Sequence, residues 1–171
     1  MTRAKRDTTA GETEAILRHW REAVPDDRLA HLVRDTARAF GRALQSRLAA
    51  HDVSFGHWTF LRILWERDGI TQAELSITAG VMEPTTFAAL KVMERNGYVE
   101  RRRTPDNRKK VYVHLTAKGR ALKADLVPLA EDVNRVAVAG LGGADLARTR
   151  HVLLAMIANL AAEDAAVRKG R

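Results

Sequence analysis

The sequence predicts a mainly α-helical fold with one small β-hairpin, and three observations carry that prediction. Amphipathic stretches with apolar residues every three to four positions dominate both ends of the 171-residue chain. Between them, residues 71–97 read as two short helices separated by a tight turn. Directly after Asn96-Gly97 the periodicity switches to alternation, with Val111, Val113 and Leu115 set against Tyr112 and His114. Two helices and then a basic hairpin, over Thr71 to Leu115, is the order of parts in a winged helix-turn-helix. The helices on either side would form a dimerisation base.

The elements follow in order. Residues 1 to about 12 are small, polar and charged, which predicts a mobile arm. Glu14 to Glu22 carries Ile16, Leu17 and Trp20 at helical spacing, and Pro25 ends it; Trp20 on its own reads as an aromatic docked onto the body. From Asp27 to Ala50, Leu29, Leu32, Val33, Phe40, Leu44 and Leu48 form a stripe longer than a small core covers, so part of it should meet a second copy of the chain. Ser54 is the candidate cap for a helix from His57 to Arg67, whose inward side is Trp58, Leu61, Leu64 and Trp65 and whose stop is Asp68-Gly69.

Thr71 and Glu74 make a T-x-x-E capping box, and that helix, with Leu75 and Ile77, ends near Ala79-Gly80. The next begins close to Pro84 and stops at Asn96-Gly97. On it Phe87, Leu90 and Met93 should turn inward, while Thr85, Thr86, Ala88, Ala89, Lys91 and Val92 include the exposed side. Tyr98–Arg103 and Lys109–Leu115 are strands joined by the turn residues Thr104-Pro105-Asp106-Asn107. Thr116 caps a helix with the stripe Leu122, Leu126, Leu129 and Val133, in which Pro128 predicts a kink or a break. After a loop at Gly140–Gly143, Asp145 caps a last helix carrying Leu146, Val152, Leu153, Met156, Ile157 and Leu160. The domain reading is an arm and short helix over 1–28, dimerisation helices over 29–56 and 116–171, and the winged module over 57–115.

Charge points to a class of partner. The net charge is +8. Between Lys91 and Lys110 eight basic residues face three acidic ones, which leaves +5 within twenty positions. A cluster this local suits a polyanion such as double-stranded DNA, because neutralising phosphates releases condensed counterions. The hairpin tip, Arg103 to Lys110, places Arg103, Arg108, Lys109 and Lys110 at its centre. Catalysis finds no support: there is no H-E-x-x-H, P-loop or G-x-S-x-G, and the six histidines lack metal spacing. No cofactor is implied. With no cysteine, disulfides and thiolate metal sites are excluded. The first residues have no apolar core of signal-peptide length and no run approaches 18 uncharged apolar residues, so a cytoplasmic protein without membrane contact is expected.

The run NGYVERRRTPDNRKKVYVHLTAKGRAL, together with the order of elements, resembles the MarR family of bacterial transcription regulators over about residues 29–163. The D-x-R of Asp106 and Arg108, followed by L-T-x-K-G from Leu115 to Gly119, carries the likeness most specifically. The resemblance implies a homodimer whose two winged modules read a palindromic operator, usually as a repressor released by a small, often aromatic, anionic ligand. It implies that Arg108 enters the minor groove with Asp106 holding it, that Thr85 and Thr86 meet phosphates or base edges, and that Lys91 contacts a phosphate. The family's frequent T-V-[ST]-R reads Thr85-Thr86-Phe87-Ala88 here, so alanine stands where an arginine would often read guanine. Readout at Ala88 would then be apolar, such as contact with a thymine methyl, or weaker with more weight on DNA shape.

The resemblance also implies an effector site where the long helices meet the winged module. His51, His57, Trp58 and Arg62 offer a cation beside an indole face, which an aromatic acid needs; the same residues also read as ordinary core and surface. The opening ILRHWREAVPDDRLAHLVRDTARAF is similar to subgroups with an N-terminal extension, some of which bind urate or aromatic acids, and this adds Trp20 to the set. Against a ligand-responsive repressor stand an architectural DNA binder without a ligand and a constitutive activator.

Overall fold

The structure, a computed structural model, describes residues 14–22, 29–104 and 107–169, with the side chains of residues 104 and 107–109 outside the described set. The expected arm over residues 1–12, the stop at Pro25 and the turn residues Pro105 and Asp106 therefore lie outside the described residues. The elements are α1 (residues 14–22), α2 (Leu29–Leu48) with a 3-10 turn at Ala49–His51, α3 (Phe55–Glu66), β1 (Ile70–Thr71), α4 (Gln72–Ala79), α5 (Glu83–Arg95), β2 (Val99–Thr104), β3 (Asn107–Leu115), α6 (Ala117–Ala137) and α7 (Gly143–Lys169). The fold is mainly α with a small antiparallel sheet, as the periodicities predict. The chain divides into two units, Met1–Arg120 and Ala121–Arg171.

In the first unit α3 contributes more buried apolar residues than any other element, through Trp58, Phe60, Leu61, Ile63 and Leu64. Around it are buried Leu44 and Leu48 of α2, Leu75 of α4, Leu90 and Met93 of α5, and Val113 and Leu115 of β3. Local chemistry sets the helix ends. The Ser54 hydroxyl accepts from the His57 amide, so α3 starts two residues before the expected His57. Thr71 and Glu74 form the expected reciprocal box: the Glu74 amide donates to Thr71 Oγ1 at 3.2 Å and the Thr71 amide to Glu74 Oε2 at 2.8 Å. The Thr71 hydroxyl, donating at 2.6 Å, holds the Glu74 carboxyl below its usual range. Gly80 and Gly97 end α4 and α5 with φ of 67° and 72°, a backbone region that favours glycine.

Three expectations are corrected. The sheet has three strands in the order β1-β3-β2: Ile70 and Thr71 pair with Val113 and Tyr112, so the hairpin is stitched to the start of α4. A two-residue strand has no periodicity to reveal it. Of the kink or break expected at Pro128, the break is absent: α6 is one helix from Ala117 to Ala137 with Pro128 on its exposed side. Asp145 lies inside the first turn of α7, not at its cap, where its charge favours the free amides.

In the second unit Leu126 and Val133 are the buried positions of α6, whereas α7 exposes Val152, Leu153, Leu154, Ile157, Leu160 and Val167. In the first unit Leu29, Leu32 and Val33 of α2 are likewise exposed, as the length of that stripe predicts. Among the described residues no helix is long and apolar enough to cross a membrane, and no three His, Asp or Glu side chains form a metal-binding group.

Candidate nucleic-acid interface

Helix α5 has one buried row, Thr86, Leu90 and Met93, and one exposed face bearing Pro84, Thr85, Phe87, Ala88, Lys91 and Arg95. Two side chains sit opposite to expectation. Thr86 has no exposed surface, and Phe87, expected inside, is 51% exposed. The reason lies on α4: Ser76, also buried, is 2.8 Å from Thr86 Oγ1 and 3.0 Å from the Gln72 carbonyl oxygen. One serine proton serves one acceptor. The satisfied arrangement has Thr86 donating to Ser76 and Ser76 donating to Gln72, which offsets the cost of burying two hydroxyls. Thr86 thus fixes α5 against α4 and presents no atom to a partner.

Removing Ser76 alone strands the Thr86 hydroxyl in a dry site, so Ser76→Ala is expected to cost about 1–3 kcal/mol, whereas adding Thr86→Val to it should recover part of that loss. Urea melts of the two single variants and the double one check this, and strictly additive losses would contradict it.

The second feature is a clamp from the end of α5 to the hairpin. Arg101 on β2 donates to Glu94 from its backbone amide (3.0 Å), Nε (3.0 Å) and a terminal guanidinium nitrogen (2.6 Å). Its guanidinium carbon also lies 5.2 Å from the centre of the Phe87 ring. The Arg101 hydrogen bond is the chief reason the Glu94 carboxyl is held below its usual range. Arg101 is therefore committed internally, although the charge count treated it as one of the basic cluster; only the seven-residue spacing from Glu94 across Asn96-Gly97 hinted at the pair.

The remaining basic residues are displayed. Lys91, Arg95, Arg103 and Lys110 are exposed, and Arg102 is exposed while paired with Glu100. Asp106, and the side chains of Arg108 and Lys109, lie outside the described residues. The arrangement is a helix face and a hairpin that carry like charge and are tied to each other by Glu94 and Arg101.

The five residues proposed for an effector have separate settings. Trp20 donates from Nε1 to Asp35 on α2 at 3.3 Å, so it docks α1 onto α2. Trp58 is buried, with its ring edge-on to Trp65 at 5.6 Å between centres. Arg62, one turn on, is exposed and 3.9 Å from Glu66. His51 is half-buried in the turn before α3. His57 is half-buried, burial lowers its pKa, and its Nδ1 is enclosed without a hydrogen-bond partner among the described residues.

Comparison with known proteins agrees with this geometry. The model of the MarR family matches residues 53–111, from just before α3 into β3. The HTH-type transcriptional regulator TtmR of Methylorubrum extorquens is 35% identical over 101 residues, 59% of this chain and 52% of that protein. The homoprotocatechuate degradative operon repressor of Escherichia coli is 30% identical over 89 residues, 52% of this chain and 58% of that protein. The matched stretch thus spans about half the length of these curated relatives. The crystal structure of transcriptional regulator PA3341 superposes with a TM-score of 0.69 at 32% identity, covering 77% of this chain and 96% of that one. With its helix pair, clamped basic hairpin and these matches, the chain belongs to the MarR family.

Proposed function

We propose that the protein is a non-enzymatic, DNA-binding transcription regulator, a homodimer that represses from a two-fold symmetric operator until a small aromatic acid releases it. The observation that carries this reading is the exposed α5 face, with Lys91 and Arg95, continued through the Glu94–Arg101 clamp into the basic hairpin. A helix face of this kind suits the major groove, with Thr85, Ala88 and Lys91 toward bases and phosphates. Arg103, Asp106, Arg108, Lys109 and Lys110 would make the hairpin the second contact, with Arg108 in the minor groove and Asp106 orienting it. Thr86 is withdrawn from the contact set on account of its burial.

A second copy is supported by the apolar side chains that α7 and the start of α2 expose. The aromatic-acid effector is supported by the repressor named for a homoprotocatechuate operon, homoprotocatechuate being an aromatic acid. Trp20, His51, His57, Trp58 and Arg62 remain the proposed effector residues, with the exposed Arg62 guanidinium as the cation for a carboxylate. Ligand bound between the dimer base and the wings would fix a spacing of the two α5 helices that no longer matches successive major grooves. The resulting coupling is expected at about 1–3 kcal/mol.

Selection from a randomised duplex library, followed by titration with a panel of aromatic acids, tests the reading. The expected result is a two-fold symmetric site with half-sites about one helical turn apart, displaced by at least one acid. Enrichment of A·T-rich DNA alone, indifferent to every acid, would instead indicate an architectural binder. On the selected site, Arg108→Ala should weaken binding and reduce the dependence of log affinity on log salt by about one unit. A variant with wild-type affinity and slope would remove Arg108 from the interface.

A further inference from the structure

Within the first two turns of α5, three exposed side chains, Pro84, Phe87 and Ala88, carry no hydrogen-bonding group, beside Glu83 and Thr85, which do. At about 100° per residue, Pro84, Lys91 and Arg95 form one row along the helix, with Phe87 on one flank and Ala88 on the other. The apolar flanks and the cations therefore belong to a single face. Phe87 is not a ring merely left outside. Arg101 lies 5.2 Å from its centre and is fixed there by Glu94, so the exposed ring is held in place on the face.

A large aromatic displayed among cations fits a partner that is polyanionic and yet has apolar groups within reach. Double-stranded DNA meets both conditions in the major groove, where the 5-methyl group of thymine is the apolar feature among donors and acceptors. An apolar protein surface would not account for Lys91 and Arg95 in the same row, or for exposed Arg102, Arg103 and Lys110 on the hairpin.

Resting on the DNA-binding reading above, we propose that α5 specifies its operator by contacting thymine 5-methyl groups, with Phe87 as the principal contact and Ala88 as the second. Arg101 and Glu94 act as positioning residues that hold the ring. The cations of the face supply affinity that does not depend on sequence, and the ring supplies the discrimination.

The test uses the full chain and a duplex chosen by selection, with each thymine replaced in turn by uracil, which keeps the base-pairing edge and lacks the methyl. At one or two positions in each half-site, uracil is expected to weaken binding about three- to five-fold, the size expected for one buried methyl group. Phe87→Ala should bind thymine and uracil duplexes equally well at its position, while Phe87→Leu, still apolar, should keep part of the difference. Both variants alter an exposed side chain, and thermal melting establishes that each is folded. Uracil without effect at every position, or full thymine preference retained by folded Phe87→Ala, overturns the proposal while leaving DNA binding intact. Failure of the wild-type chain to retain any duplex overturns the DNA-binding reading, and this proposal falls with it.

Discussion

Gly119→Ala is expected to destabilise the protein by at least about 3 kcal/mol, although alanine is the better helix former by about 1 kcal/mol. Gly119 is buried in the first turn of α6, and a Cβ built there would sit 2.0 Å from the Tyr98 carbonyl oxygen and 3.0 Å from its carbonyl carbon. The obstacle is backbone, so no rotamer change relieves it. That backbone is itself held: the Thr116 amide donates to the Tyr98 carbonyl at 3.1 Å, and the Thr116 hydroxyl donates to the Gly97 carbonyl at 2.6 Å while accepting from the Gly119 amide at 3.0 Å. The Gly119 carbonyl also accepts from Trp65 Nε1 at 2.9 Å. Moving α6 away by about 1 Å would strain the three of these bonds that reach Gly97, Tyr98 and Trp65, and overpacking with no room to relax lies at the upper end of its usual cost. Urea denaturation at fixed protein concentration measures the loss. A variant within about 1 kcal/mol of wild type would show that α6 does not approach the Gly97–Tyr98 turn this closely. The glycine of the L-T-x-K-G run is thus required by a close approach of two backbones.

What was legible in the sequence is what depends on neighbours along the chain. Ser54, the Thr71–Glu74 box, Gly80, Asn96-Gly97 and Thr116 all work through partners within a few residues or through their own φ, and each was found in place. The faces of α5 were not legible at Thr86 and Phe87. Hydrophobicity ranks phenylalanine inward and threonine outward, but Ser76, ten residues earlier, supplies the bond that lets Thr86 be buried, and Arg101 gives Phe87 a contact outside. Ile77, an apolar residue of α4, is 80% exposed for the related reason that a helix of eight residues has one narrow buried row, filled by Leu75 and Ser76. Of the candidate interface, the exposed cations Lys91, Arg95, Arg103 and Lys110 were recognisable from charge alone. The commitment of Arg101 to Glu94 was not, because a charge count does not distinguish a displayed cation from one fixed by a partner.

Asp68→Ala is the second large expected loss, about 2–3 kcal/mol, and it carries a pH signature. Asp68 Oδ1 accepts from the Leu115 amide at 2.8 Å and the Gly69 amide at 3.0 Å, while Oδ2 accepts from Arg120. One carboxylate thereby joins the turn after α3, the end of β3 and the start of α6. Leu115 is buried, so the alanine variant leaves an amide with no partner; that term dominates, since the exposed Arg120 contributes little on its own. Asp68→Asn, which keeps an acceptor for the amides, should cost only about 1 kcal/mol. Burial pushes the Asp68 carboxyl up, but the Leu115 amide, Arg120 and the Gly69 amide together outweigh it and hold the pKa below its usual value. A folded pKa below the unfolded one means that the unfolded chain binds the proton more readily. The stabilisation is then fully present above about pH 4 and is lost as pH falls through the lowered folded value. Wild-type stability should drop across that acid window more steeply than that of Asp68→Asn, whose amide does not titrate. Parallel acid profiles for the two proteins would show that the carboxylate charge at this junction contributes nothing beyond its hydrogen-bond geometry.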